Sequence, residues 1–358
     1  EKLMVELLEK LVDNPAAFPL AMESLWKTMN TGGFEPHSMA SLKHFNGGLF
    51  AQPKALPLAP EDIHELLVAA RMDWRDVEPA IFGTLLERAL DPRERSKLGA
   101  HYTPRAYVER LVVPTIIEPL RSDWDKVQAS IEAALQAGDP AAALARAKAF
   151  HHELCTIRVL DPACGSGNFL YVAFRELYRL ETEALCRAYE FASVQKRDKM
   201  SWASAIRTTN FFGIDINKFA VELAKTTLNI AKKIAFEERK ATVVELYGQG
   251  FLEVDPSLPL DNLDENIVCA DALFTEWPQA DAIIGNPPFL KGIKFREAFG
   301  ETYVRKLRNA FPDVNGRADL CALWFRRAHE RIKGTDARAG LIGTSGIRDG
   351  ATLERRSV

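Results

Sequence analysis

From Ile157 onward the chain alternates short apolar runs, each closed by an acidic or glycine-containing mark, with long stretches of helical periodicity. The runs are IRVLD from Ile157, FFGID from Phe211, NIVCAD from Asn266, DAIIGN from Asp281 and AGLIGT from Ala339. Strands that read as continuous apolar runs are buried on both faces, and helical patterns between them supply the crossovers of a parallel sheet. The expected fold is α/β, a doubly wound sheet with helices on both faces. Ligands in such folds bind beyond the carboxyl ends of the strands, which is where all five marks fall.

The part before Ile157 has a different texture. Leu3, Leu7, Leu8 and Leu11 stand at helical spacing, and Asp13-Asn14-Pro15 ends the pattern. After a stretch punctuated by Asn46-Gly47-Gly48 and Pro53, helical periodicity resumes over 61–74 and 79–90. Residues 1–95 are therefore expected to form a mainly helical domain, and residues 96–358 a second domain that carries the chemistry. A helix over 106–120 and an Ala-rich helical pair broken at Gly138-Asp139-Pro140 lead into the sheet. Two domains suit a chain of 358 residues, which exceeds what one core usually serves.

No apolar stretch approaches the roughly 20 residues needed to cross a bilayer, and EKLMVELLEK lacks the layout of a signal peptide. A cytoplasmic protein is the expectation. The five cysteines are scattered, form no CxxC pair and read as reduced thiols, so no metal site is expected. His37, His44 and His64 have no partner in sequence, and the adjacent His151 and His152 cannot share one helix face. The net charge of -3 gives no global footprint for nucleic acid, though a local basic patch is compatible with it.

Asp161-Pro162-Ala163-Cys164-Gly165-Ser166-Gly167 follows the first strand and precedes a helical stretch. A turn this tight needs glycine for its backbone angles and for the approach of a ligand to the main chain. An ordinary strand-to-helix turn is one alternative and a dinucleotide site another. The second is disfavoured because Leu170 stands where the third Gly of GxGxxG belongs, and the next strand-end acid lies too far along. That acid, Asp215, can accept hydrogen bonds from two vicinal ribose hydroxyls, or cap the helix from Lys218. Asp271 can accept from an adenine amino group, or serve its own turn.

Asn286-Pro287-Pro288-Phe289 follows the fourth strand. An exocyclic amine on an aromatic base is a poor nucleophile, because its lone pair is delocalised into the ring. The carbonyls of the Asn286 side chain and of Pro287 can accept its protons and draw the nitrogen toward tetrahedral geometry, exposing the lone pair to a methyl donor. The prolines stiffen the loop, and Phe289 offers a face for a base rotated out of its duplex. Lys291, Lys294 and Arg296 follow at once and are candidate phosphate contacts, or a solvated basic face.

In this order the motifs resemble the gamma-type amino methyltransferases of DNA, in which a Tyr-Thr element, a Gly-rich cofactor loop, two acidic strand ends and NPPF or NPPY follow one another. LGAHYTP from Leu98 matches the first element, and the resemblance implies that Tyr102 and Thr103 lie against the methionine end of the cofactor. HFNGGLF, DWRDVEPAIFGTLLERALDP and ADLCALWF are similar to the MmeI-like group of single-chain restriction and modification enzymes.

The resemblance implies a class I methyltransferase sheet preceded by a helical spacer. It implies S-adenosylmethionine held by Asp161, Ala163, Gly165, Gly167, Asp215 and Asp271, and N6-adenine methylation of double-stranded DNA at Asn286, Pro287, Pro288 and Phe289. It also implies a fragment: no nuclease segment precedes the spacer, and little follows AGLIGT where the family continues into the rest of the sheet and a target-recognition domain. A nuclease and that recognition domain are expected partners in a longer protein, and the fragment alone is expected not to methylate a defined sequence. Competing readings are amino methylation of RNA or a protein glutamine, and a non-catalytic DNA-binding or assembly remnant.

Overall fold

A computed structural model describes residues 2–37, 39–42, 50–72, 81, 103–191, 205–248 and 261–344. The chain divides into two compact units, one of Glu1–Ile81 with Pro259–Asp264 and one of Phe82–Leu258 with Glu265–Val358.

The first unit holds helix α1 (Lys2–Val12), helix α2 (Phe18–Thr31), a hairpin of β1 (Gly33–Glu35) and β2 (Ala40–Leu42), and helix α3 (Pro60–Arg71). Leu7, Leu8 and Leu11 share one face of α1 and pack with Phe18, Leu25, Ile63 and Leu67. The hairpin departs from the mainly helical expectation, since strands of three residues are too short to show alternation. His37 also gains a partner: its Nδ1 lies 3.0 Å from Oε1 of the buried Glu35, which accepts from Ser24 Oγ at 3.0 Å as well. The stretches 43–49 and 73–80, with most of 81–92, lie outside the described residues.

The second unit contains the expected sheet. Its strands are β3 (Val159–Asp161), β4 (Phe211–Asp215), β5 (Ile267–Cys269), β6 (Ala282–Gly285) and β7 (Arg338–Leu341), all parallel, in the spatial order β5-β4-β3-β6-β7. The order reverses at β3, between β4 and β6, so the loops after these strands open on a topological switch point.

Helix α4 (Arg105–Val112) runs through a π-helical segment, Val113–Ile117, into α5 (Glu118–Gln136). Pro114 and Pro119 each remove an amide donor there, and the helix widens instead of breaking. Helix α6 (Pro140–Thr156) begins with Pro140 behind Asp139, whose side chain accepts from the Ala142 amide at 2.9 Å. Trp124 of α5 stacks on Phe150 of α6, ring centroids 4.8 Å apart, in a cluster completed by Leu180 and Ala184 of the crossover helix α7 (Asn168–Phe191).

Helix α8 (Lys218–Tyr247) is the second long crossover. With α4 and α7 it covers one sheet face, where Phe174 of α7 meets Phe211 of β4 at 5.2 Å. The opposite face carries α9 (Phe295–Ala310) and α10 (Cys321–Ile332), packed on Leu160, Ile214 and Ile283. Burial of both faces accounts for the apolar runs in the sequence. No helix among the described residues is long and apolar enough to cross a membrane.

Candidate functional site

Asp161 ends β3 and is fully buried. Its Oδ1 accepts the Ala163 amide at 3.0 Å, while Oδ2 is buried without a hydrogen-bond partner. Burial raises the Asp161 carboxyl to about 8, the Ala163 amide opposing and the nearby Asp215 charge adding to the rise. Gly165 and Gly167 both have positive φ, at 51° and 87°. At Gly167 a Cβ would stand 3.0 Å from the Ala224 backbone, so glycine lets α8 approach the loop. At Gly165 a Cβ would meet open space, which is the room a ligand on the main chain requires. Cys164 is buried and its thiol is pushed well up by burial, which removes it as a nucleophile.

Asp215 closes β4 and reaches across to the glycine loop. Its Oδ2 accepts the Gly165 amide at 2.9 Å and its Oδ1 the Asn217 amide at 2.8 Å. Burial raises its carboxyl too, against the lowering effect of these amides. The cap of α8 is Asn217, whose side-chain oxygen accepts the Phe219 and Ala220 amides, so capping does not account for Asp215. Ile216 and Phe219 beside it are exposed apolar side chains.

Asp271 serves its own turn, with Oδ1 accepting the Leu273 amide at 2.9 Å, and its Oδ2 accepts the Tyr303 hydroxyl at 2.8 Å. Burial, with Asp271 adding to it, pushes the Tyr303 phenol up.

Gly285 ends β6 with φ 152°, and a Cβ there would lie 2.5 Å from Asp161 Oδ1. The loop after β6 thus lies against the carboxylate that ends β3. Asn286 donates from Nδ2 to Thr103 Oγ1 at 2.9 Å, and its Oδ1 is buried with no partner. Pro287 is buried; Pro288 and Phe289 are partly exposed.

Thr103 is thereby brought to the loop, whereas Tyr102 lies outside the described residues. Lys291, Lys294 and Arg296 are exposed, Arg296 in an ion pair with Glu301 at 3.0 Å. Sequence reasoning did not single out Ile216 or Tyr303; an exposed apolar residue directly after a strand-end acid was the only available signal.

A second cluster lies elsewhere in this unit. His151 Nε2, Cys155 Sγ and a carboxylate oxygen of Glu181 fall within 4.8 Å of one another, while His152 faces solvent. Glu181 is fully buried, accepts the Ala205 amide at 2.8 Å and pairs with the buried guanidinium of Arg239. Burial, with Glu181 adding, raises the Cys155 thiol to about 12. This is a hydrogen-bonded network joining α6, α7 and α8 around the Glu181–Arg239 ion pair.

Two strand-end acids and a proline-stiffened Asn loop around a switch point, in this strand order, define a class I methyltransferase fold. The chain belongs to the family described as MmeI, DNA-methyltransferase domain, whose model matches residues 136–355, more than half of the chain. It is 26% identical over 327 residues to DNA methyltransferase A of Bacillus subtilis, covering 88% of this chain and 34% of that protein. It is 29% identical over 170 residues to a candidate type II restriction enzyme and methyltransferase of Methanocaldococcus jannaschii, covering 44% of this chain and 14% of that one. The solved structure of the type IIL restriction-modification enzyme MmeI in complex with DNA matches 95% of this chain and 44% of that chain, with TM-score 0.72 and 25% identity. The chain thus spans about a third of the Bacillus relative and under half of the MmeI chain.

Proposed function

We propose that this chain transfers a methyl group from S-adenosylmethionine to N6 of an adenine rotated out of double-stranded DNA. The reading rests on one observation above all: the Asn286 side-chain oxygen is buried and lacks a partner at the end of β6. A buried acceptor left unpaired costs about 1–3 kcal/mol, and an incoming amino group would satisfy it.

The residues fit the cofactor. An aminoacyl end needs a counter-charge, and Asp161 Oδ2 is buried and unpartnered. Ribose hydroxyls need an acceptor, and Asp215 stands at the neighbouring strand end beside the open Gly165. An adenine ring needs apolar cover and a polar edge, for which Ile216 and Asp271 are available. When bound, the cofactor supplies a methyl group on a sulfonium, which leaves as a neutral thioether without a covalent enzyme intermediate.

Asn286 Oδ1 and the Pro287 carbonyl accept the two amino protons of the base and so localise its lone pair. Phe289 stacks on the ring. Thr103 fixes the Asn286 amide through Nδ2, which aims Oδ1 at the base; Tyr102, to which the resemblance gives a role at the aminoacyl end, lies outside the described residues. Ala163, Gly165 and Gly167 shape the loop that receives the cofactor.

Between residues 291 and 317 the sequence has seven basic and three acidic residues, so a local positive surface adjoins the Asn loop of an otherwise acidic chain. Lys291, Lys294 and Arg296 are its nearest members and the proposed phosphate contacts. Residues 1–95 act as a helical spacer and 96–358 as the catalytic domain of a restriction-modification protein.

The test is calorimetric titration of the chain with S-adenosylmethionine, then methylation of duplex DNA by the full protein with labelled cofactor. Label in N6-methyladenine that disappears in Asn286→Ala is the expected result. Label in another base, or full activity in that variant, overturns the reading.

A further inference from the structure

We propose that the segment from Asp319 to Arg327 is a three-point clip on the reaction loops, which makes Asp319, Trp324 and Arg327 positioning residues for the methyl transfer proposed above. The stretch ADLCALWF forms the N-terminal turn and first half of α10, and each of three side chains grips the main chain of a different loop.

After β6, Asp319 Oδ1 accepts the Leu290 amide at 3.1 Å, and the Leu320 amide donates to the Leu290 carbonyl at 2.8 Å. This two-way contact is made on the residue directly after Asn286-Pro287-Pro288-Phe289. Gly292 presses on the same turn so closely that a Cβ would meet the Gly316 carbonyl at 2.6 Å and the Ala318 carbonyl at 2.8 Å. After β3, Trp324 Nε1 donates to the Pro162 carbonyl at 2.9 Å from a buried position. After β5, the Arg327 guanidinium donates to the Ala272 carbonyl, which also accepts from Trp277 Nε1 at 2.8 Å, and stands 4.8 Å from the Trp277 ring centroid.

Hydrophobic packing would hold α10 on the sheet without any of these bonds. What they add is direction: each fixes a backbone group in a loop beyond the carboxyl end of its strand. A helix is rigid over its length, so the base-holding loop and two cofactor-side loops are referred to one frame. Their separation then stays constant, and a misplacement of about 1 Å can cost about a hundredfold in rate.

The loops differ in task, so the three contacts separate in their effects. Asp319→Ala frees the Asn286 loop and is expected to lower kcat on duplex DNA by about tenfold to a hundredfold, with cofactor Kd within about twofold of wild type. Asp319→Asn keeps an oxygen that accepts the Leu290 amide and is expected to recover most of the rate. Trp324→Phe retains the ring but loses the bond to Pro162, and is expected to weaken cofactor binding severalfold, a loss that Asp319→Ala does not share.

Hydrogen exchange of the chain without ligand gives a readout independent of activity, with amides over 289–292 exchanging faster in Asp319→Ala than in Asp319→Asn. Equal exchange in the two, or equal losses of kcat and cofactor affinity in all variants, overturns the clip. A wild-type chain that binds no cofactor overturns the proposed function instead, and the exchange comparison still decides the clip.

Discussion

Replacing Asp161 by Asn should change how stability depends on pH. The folded-state carboxyl lies at about 8 against an ordinary value of 3.8, because it is fully buried and feels the charge of Asp215, effects that outweigh the lowering by its one amide bond. A raised acid keeps its proton in the folded state while the unfolded chain has lost it, so between about pH 4 and pH 8 the folded state binds more protons and stability falls as pH rises. The full slope is about 1.4 kcal/mol per pH unit, and the accumulated cost by pH 8 is of order 5 kcal/mol. Asn carries no charge at any of these pH values. Its amide stands where the protonated carboxyl already keeps an O–H, so the variant should lie close to wild type at pH 5 and should exceed it in stability by pH 8.

Urea unfolding at pH 5, 6, 7 and 8 reads both slopes directly. Wild type and variant falling in parallel would refute the argument, because the pH dependence would then belong to other groups. On the proposed function the same proton appears in binding: an ammonium group beside Asp161 favours its ionised form, so cofactor binding at pH 7 should release close to one proton. Calorimetry in two buffers of different ionisation enthalpy measures that number, and it should vanish in the variant.

Other outcomes follow from single contacts. Asp215→Ala should weaken S-adenosylmethionine binding by about 1–3 kcal/mol, read by calorimetry on a folded variant; unchanged affinity would take Asp215 out of the site. Asn286→Ala should abolish turnover with cofactor affinity nearly intact, since its oxygen acts on the base, and retained turnover would sink that role. Gly285→Ala should destabilise the fold by on the order of 1–3 kcal/mol, because φ is 152° and the new Cβ meets Asp161 Oδ1 at 2.5 Å; an unshifted melting temperature would contradict this. Removing both Lys291 and Lys294 should lower the slope of log affinity for DNA against log salt by about 2, and an unchanged slope would assign the phosphate contacts elsewhere.

Strands β3, β4 and β6 were legible because burial on both faces turns each into an apolar run, and β5 and β7 because they keep that run although they are more exposed; in all five the run closes on a residue unlike it. Asp161, Asp215, Asp271 and Asn286 stand at those marks, and the chemistry of the motif around each singled it out. What capped α8 was not legible: Asp215 and Asn217 are both suitable caps two residues apart, and only the direction of the Asp215 side chain toward Gly165 separates them. Tyr303 and Asp271 are 32 positions apart, Trp324 and Pro162 are 162 apart, and no periodicity links such pairs. The hairpin of β1 and β2 was hidden by its length, and the partner of His37 by the burial of Glu35, a residue type that composition places at the surface.

The local patterns therefore pick out the candidate groups, while the distances between them depend on contacts that the patterns do not contain. Asp161 and Asp215 end strands and are held by the sheet, whereas Asn286, Asp271 and Thr103 sit on loops, and a loop is held only by what it touches. Asp215 ties the β4 loop to the glycine loop through Gly165, and Thr103 ties the Asn loop to the segment before α4. Gly285 lets the β6 loop rest on Asp161. Each of these joins two segments, and the last two hold the base-holding loop against the cofactor side at one point each. Helix α10 touches three of the loops at once, on their backbones, and it comes after all of them in the chain. On the proposed clip, the candidate base-holding and cofactor-side loops take their mutual geometry only when residues 319–327 have folded onto them.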